Sequence, residues 1–183
     1  MHAAQSPPRQ PAVIASDQFR DAMARLAAPV TVVTTTDPDG RRWGFTASAV
    51  TSVSLDPPLI LVGITRGSTC HQPLTTAAEF VVNVLADHHE TLARRFAAHG
   101  VDRFAGGDFD TWPGTDLPRL ADAAVLLRCT VTGVVPAGDH DLLLGAPVEA
   151  RTSGSSGALV WYQRGFHVPV QTSQENKAAV RAA

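Results

Sequence analysis

The chain has 183 residues, 44% of them hydrophobic and 17% charged, a balance that excludes intrinsic disorder and suits one domain able to bury its own core. A net charge of -2 excludes the basic excess of a nucleic-acid or anionic-membrane binder, and no apolar run reaches the roughly 20 residues that span a bilayer. Two cysteines, Cys70 and Cys129, make no disulfide framework, although one bridge stays open, and the N-terminus lacks the apolar core of a secretion signal, so the expected compartment is the cytoplasm.

Residues 1–15 hold three prolines among small polar residues and read as a flexible arm. The folded domain is expected over 16–170, with a tail over 171–183. Ser16 or Asp17 is placed to cap a first helix whose apolar face is Phe19, Ala22, Met23 and Leu26, ended by Ala27-Ala28-Pro29. From Val30 the pattern turns to β: VTVVTTT, a turn at Asp37-Pro38-Asp39-Gly40, then RRWGFTASAV, predicting a hairpin. Asp56-Pro57-Pro58 precedes a strand over 59–65. A short helix is predicted over 68–78 and a buried strand over 79–85. Asp87 and Glu90 resemble a capping box for a helix through Leu92 and Phe96. The stretch 99–119, rich in Gly and Pro, reads as a lid or interface loop. Three further strands follow over 124–135, 141–150 and 158–168, with a turn at Gly138-Asp139 and a Ser/Gly link over 152–157. Six or seven strands without βαβ alternation predict a mainly β fold with short helices, an antiparallel barrel.

The stretch 43–71, WGFTASAVTSVSLDPPLILVGITRGSTCH, crowds hydroxyls and small residues along a sheet edge, where a ligand can approach the main chain. No G-x-G-x-x-G follows a strand, and the segment from Gly63 to Ser68 lacks the lysine and spacing of a phosphate loop. No metal is expected: His88 and His89 are adjacent, so on a helix they would diverge, and no Cys/His cluster has zinc spacing. No G-x-S-x-G elbow singles out a serine nucleophile. On the residues alone, Thr46, Ser48 and Ser52 are equally outward strand positions, His71 a helix start, and Arg66 and His140 solvated loop residues.

The ordered set VTVVTTT, GFTASAVTSVSLDPPLILVGI, RGSTCH, FVVNVL, LARRFA, RF, GDHDLLLG and YQRG, spread over 19–168, resembles the short-chain flavin reductase family. These are reductase components of two-component flavin-dependent monooxygenases such as 4-hydroxyphenylacetate 3-monooxygenase. The resemblance implies a split β-barrel of FMN-binding type, a homodimer that oxidises NAD(P)H, reduces FMN or FAD and releases it to a partner monooxygenase. NADH is favoured because no Arg/Lys cluster marks a 2′-phosphate. The implied partner reaction lies in aromatic catabolism or antibiotic biosynthesis.

By the same resemblance, Thr46, Ala47 and Ser48, with Ser52 on the same stretch, contact the isoalloxazine edge and ribityl chain. Thr65, Arg66, Ser68 and His71 form a second flavin loop near the phosphate, where Arg66, Ser52 and Ser68 together suit a phosphate. Val30 and Thr31 pass beside the ring, and His140 lies near the nicotinamide. Hydride transfer needs no strong base, only two rings held at close range. This chain departs from the family at Arg164-Gly165-Phe166-His167, where relatives carry an aromatic at the position of His167, and at Gly67 in the second loop. The competing readings are a non-enzymatic FMN carrier and an oxidase of the pyridoxamine phosphate type, the latter needing a basic cluster for its second ligand.

Overall fold

The computed structural model describes residues 13–153 and 157–170. In chain order these form α1 (Ser16–Met23), β1 (Ala28–Pro29), β2 (Thr31–Thr36), β3 (Arg42–Ala47), β4 (Val50–Leu55), β5 (Pro58–Thr65), α2 (His71–Thr76) and β6 (Glu79–Val84). They continue with α3 (Glu90–Ala97), β7 (Phe109–Thr111), β8 (Pro118–Leu120), β9 (Val125–Ala137), β10 (His140–Thr152), β11 (Val160–Tyr162) and β12 (Gly165–His167). The fold is mainly β with short helices. Seven strands make one antiparallel sheet in the order β3-β2-β6-β9-β10-β5-β4, beside a small sheet β1-β11-β12 and the pair β7-β8. The two edge strands of the large sheet, β3 and β4, are consecutive in the chain and joined only by Ser48 and Ala49.

Alternation along the strands divides the core between two faces. Val32 and Val81 join Phe96 of α3 with Phe109, Trp112 and Leu120 on one side. Val33, Phe80 and Val82 join Val62, Ile64, Leu143 and Leu74 of α2 on the other. Because β2 is covered on both faces, Thr31, Thr34 and Thr35 are buried, and a buried hydroxyl must find a partner. Thr31 donates to the Ala47 carbonyl (2.9 Å), Thr34 to that of Pro118 (2.6 Å) and Thr35 to that of Glu79 (2.8 Å). Asn83, fully buried in β6, donates through Nδ2 to the Val32 carbonyl (2.8 Å) and the Thr34 hydroxyl (3.3 Å), and accepts the Leu120 amide (2.8 Å). Both cysteines are free and buried, and burial pushes the Cys129 thiol up to about 12.

Several expectations change. The hairpin over 30–50 exists, but its second strand stops at Ala47, and Val50–Leu55 forms a separate strand on the opposite sheet edge. The first helix stops at Met23, before Ala27-Ala28-Pro29. Neither helix has the side-chain cap expected of it. Ala15 precedes α1 while Asp17 accepts the neighbouring Gln18 amide, and at α3 Asp87 turns to His88 and Glu90 to Arg94, since cationic or ring partners outcompete the cap. The stretch 99–119 is no lid: Phe109, Trp112 and Leu117 anchor it in the core, and it carries β7 and β8. The last predicted strand is a hairpin, turned at Gln163 and Arg164, both with positive φ. The arm over 1–15, except its last three residues, and the tail over 171–183 lie outside the described residues, as do 154–156 of the Ser/Gly link. No helix among the described residues is long and apolar enough to cross a membrane.

Candidate functional site

The end of β3, the face of α3 and the hairpin β11–β12 enclose an open cavity of about 440 Å³. Val30, Thr46 and Ser48 line one side, and Arg94, Trp161 and Phe166 line the other, with Ala93, Ala97 and Ala98 of the α3 region between them. The alanines leave room where larger side chains would close the space. Trp161 meets Phe166 edge-on, with ring centroids 4.9 Å apart, and the Arg94 guanidinium lies 4.9 Å from the Phe166 ring centre while bonded to Glu90. The hydroxyls of Thr31 and Thr46 are donated to the carbonyls of Ala47 and Ala93, the latter at 2.6 Å. Among the described residues the Ser48 hydroxyl has no protein partner and is the polar group of this wall left to meet a ligand. Ala47 is buried behind the wall, pairing with Thr31.

A second group forms where β5 ends beside the start of β10. Thr65 pairs with His140, and the Arg66 amide donates to the Asp139 carbonyl (3.1 Å). The Thr65 carbonyl accepts the Ser68 amide, and the Ser68 hydroxyl accepts the Cys70 amide. Asp141 is the centre of this group. Its Oδ1 accepts Arg66 Nε (3.0 Å) and Nη2 (2.8 Å), and its Oδ2 meets His71 Nε2 at 2.7 Å. Hydrogen bonding from Arg66, then from His71, holds the Asp141 carboxyl below its ordinary range. His140 turns its Nδ1 to Asp139 Oδ1 (2.7 Å), and that bond holds the Asp139 carboxyl low.

The two groups are linked through β5: the Gly63 amide donates to the Ala49 carbonyl (2.8 Å), two residues before Thr65. Ser52 is not brought to the loop. It pairs with Ile60, five residues and about 16 Å along β5 from Thr65, too far to share one phosphate with Arg66 and Ser68. Arg66 is not the free cation its loop position suggested, because Asp141 holds it. His167 turns back to the Tyr162 carbonyl (3.0 Å) rather than into the cavity. Sequence reasoning missed Asp141, Arg94 and Phe166. The pair of alanines on either side of Arg94 at helical spacing was the available sign of a helix face that makes room.

His88 and His89 do not diverge, since they lie in the turn before α3 and both point Nε2 at Asp122 Oδ2, at 3.1 and 3.3 Å. The Ala86 amide donates to His89 Nδ1 (3.0 Å), so the ring proton of neutral His89 sits on Nε2, facing Asp122, which is the wrong tautomer for a metal at that nitrogen. Hydrogen bonds donated to Asp122, then to Asp87, hold the His88 pKa above its ordinary 6.5, whereas burial holds that of His89 below it. By linkage, the His88 contribution to stability is full below pH 6.5 and lost as pH rises through its raised pKa. That of His89 is full above 6.5 and lost as pH falls through its lowered pKa. Thermal melts of His88→Asn are therefore expected to lie furthest below wild type in acid and to converge with it in alkali. A gap that widens with pH would refute the charged role of His88.

With this geometry in view, residues 23–169 match the model of the flavin reductase like domain. The chain is 56% identical over 167 residues to the NADH:riboflavin 5′-phosphate oxidoreductase of Streptomyces pristinaespiralis, covering 91% of this chain and 94% of that one. Its fold matches the NADH:FAD oxidoreductase of Streptomyces globisporus C-1027, solved in complex with NAD and FAD fragments, with a TM-score of 0.78 and 31% identity over 87% of this chain and 93% of that one. It also matches the flavin reductase component of a bacterial two-component tryptophan halogenase, with a TM-score of 0.77 and 30% identity over 86% and 100% of the two chains. A single family match spanning the β3–β4 link, the Arg66 loop and the aromatic hairpin, together with a relative matched over nearly its whole length, places this chain in the flavin reductase like family.

Proposed function

We propose that the chain oxidises NADH, passes the hydride to FMN or FAD, and supplies the reduced flavin to a separate flavin-dependent monooxygenase. The observation that carries this reading is the cavity between the Ser48 link and the Trp161–Phe166 hairpin, open to solvent and walled by aromatic and small side chains. Such a slot fits flat rings: apolar walls cover their faces, and Ser48 with nearby main chain meets their polar edge. A bound flavin supplies the hydride-accepting ring nitrogen, and the nicotinamide the hydride. The chain's own task is to hold both rings in register and exclude water, which is where most of the rate of such a transfer originates. Val30, Thr46 and Ser48 serve the ring, the main chain at Ala47 and Thr31 keeps that wall straight, and the loop of Thr65, Arg66, Ser68 and His71 serves the phosphate. His140 sits beside that loop as a nicotinamide contact.

The same reading includes a split barrel. A seven-stranded sheet whose outer strands are joined by two residues must curl until those edges approach, and the Gly63–Ala49 bond ties β5 to that link. It also includes a homodimer in the cytoplasm. Phe19 and Met23 of α1 and Leu26 just after it are 53%, 45% and 58% exposed, and no residue of α1 is buried, so this apolar surface has a second copy as its natural cover. The domain is taken as 16–170, between the arm and the tail.

The test is anaerobic loss of NADH absorbance with FMN, with FAD and with no added flavin. Rapid oxidation that depends on added flavin is expected. Firm flavin binding without NADH oxidation would instead mark a carrier. In the same assay His140→Ala is expected to raise the NADH KM several-fold and the flavin KM less, and an equal rise in both would remove His140 from the nicotinamide.

A further inference from the structure

We propose that Asp141 sets how weakly the loop between β5 and α2 holds a phosphate, by occupying Arg66 and His71, the two donors that would otherwise face it. The inference rests on the proposed placement of this loop at the flavin phosphate. An arginine grips a phosphate best through two parallel N–H bonds from one edge of its fork. Here Nε and Nη2, one such edge, are both spent on Asp141 Oδ1, at 3.0 and 2.8 Å. Both N–H groups of Nη1 and the second of Nη2 have no partner among the described residues, so an arriving phosphate meets only the end-on edge of a fork whose charge is already neutralised. His71, the loop's other cation when protonated, is held by Oδ2 of the same carboxylate at 2.7 Å. Asp139 adds a second carboxylate beside Arg66, shared with His140.

The exposures fit a device rather than a stray surface pair. The Asp141 side chain is 13% exposed and that of Arg66 is 47%, so the acid is fixed in the wall while the guanidinium still reaches solvent. Asp141 is therefore a positioning residue. It aims Arg66 and His71 and subtracts the Arg66 charge, which leaves a flavin phosphate recognised but readily released. An enzyme whose product is the reduced flavin itself needs that release.

Asp141→Asn tests this, because it keeps the side chain's size and an acceptor for Arg66 while removing the negative charge. Affinities for FMN and for riboflavin, which lacks the phosphate, are measured by flavin fluorescence in wild type, D141N, R66Q and the double variant R66Q/D141N, each checked for folding by circular dichroism. D141N is expected to bind FMN about tenfold more tightly or better, with riboflavin changed less than about twofold. The double variant is expected to return the FMN-to-riboflavin ratio to the wild-type value or below. FMN affinity unchanged or weakened in D141N overturns the proposal, as does tightening that survives in the double variant. Selective loss of FMN in R66Q with no gain in D141N would sink this inference and leave the loop at the phosphate. FMN and riboflavin both unchanged in R66Q would remove the loop from the phosphate and the inference with it.

Discussion

Ser48→Trp is expected to lower the catalytic efficiency of NADH oxidation by at least about a hundredfold while the protein stays folded. Ser48 lies on the two-residue link between β3 and β4, and its side chain borders the cavity with no hydrogen bond to lose among the described residues. An indole there would project toward Trp161 and Phe166 and occupy the slot meant for the flavin ring. The melting temperature reports the fold and flavin titration reports the slot, so the two effects separate. Full activity in a folded variant would exclude Ser48, and the cavity it borders, from the reaction.

Asn83→Ala is expected to cost about 3 kcal/mol of stability, read from the urea midpoint. Three hydrogen bonds disappear at a position with no solvent access, and the Leu120 amide and Val32 carbonyl keep their need for partners. The loss would be felt across three strands, because Asn83 ties β2 and β6 to β8. A cost below about 1 kcal/mol would mean that water or a shifted backbone replaces the amide.

The strands with strong local signals were legible in sequence. VTVVTTT and the Asp37–Gly40 turn gave the first hairpin, and the apolar run FVVNVL gave β6. What the sequence concealed was set by contacts distant along the chain. β4 was hidden because Ala47 and Val50 look continuous, and only the pairing of Thr51 with Leu61 moves the second half to the far edge. The core anchors of the stretch 99–119 were missed because Phe109, Trp112 and Leu117 have no period. The same division holds for the site. Thr46, Ser48 and Val30 line one cavity, whereas Asp141 emerged only when β10 was paired with β5, which sets it next to the loop of Arg66 and His71.

Reduced flavin that meets oxygen before it meets a partner enzyme yields hydrogen peroxide, so a protein that makes it works beside an oxidant of its own making. Both thiols of this chain are sealed from solvent, and the proton of Cys129 is held far too firmly for a thiolate to form near neutral pH. Peroxide attacks thiolates, so the Cys129 sulfur stays off the path to sulfenic acid. Among the described residues Met23, 45% exposed on α1, is left as the open sulfur, and its oxidation would mark the apolar face of that helix without touching the cavity.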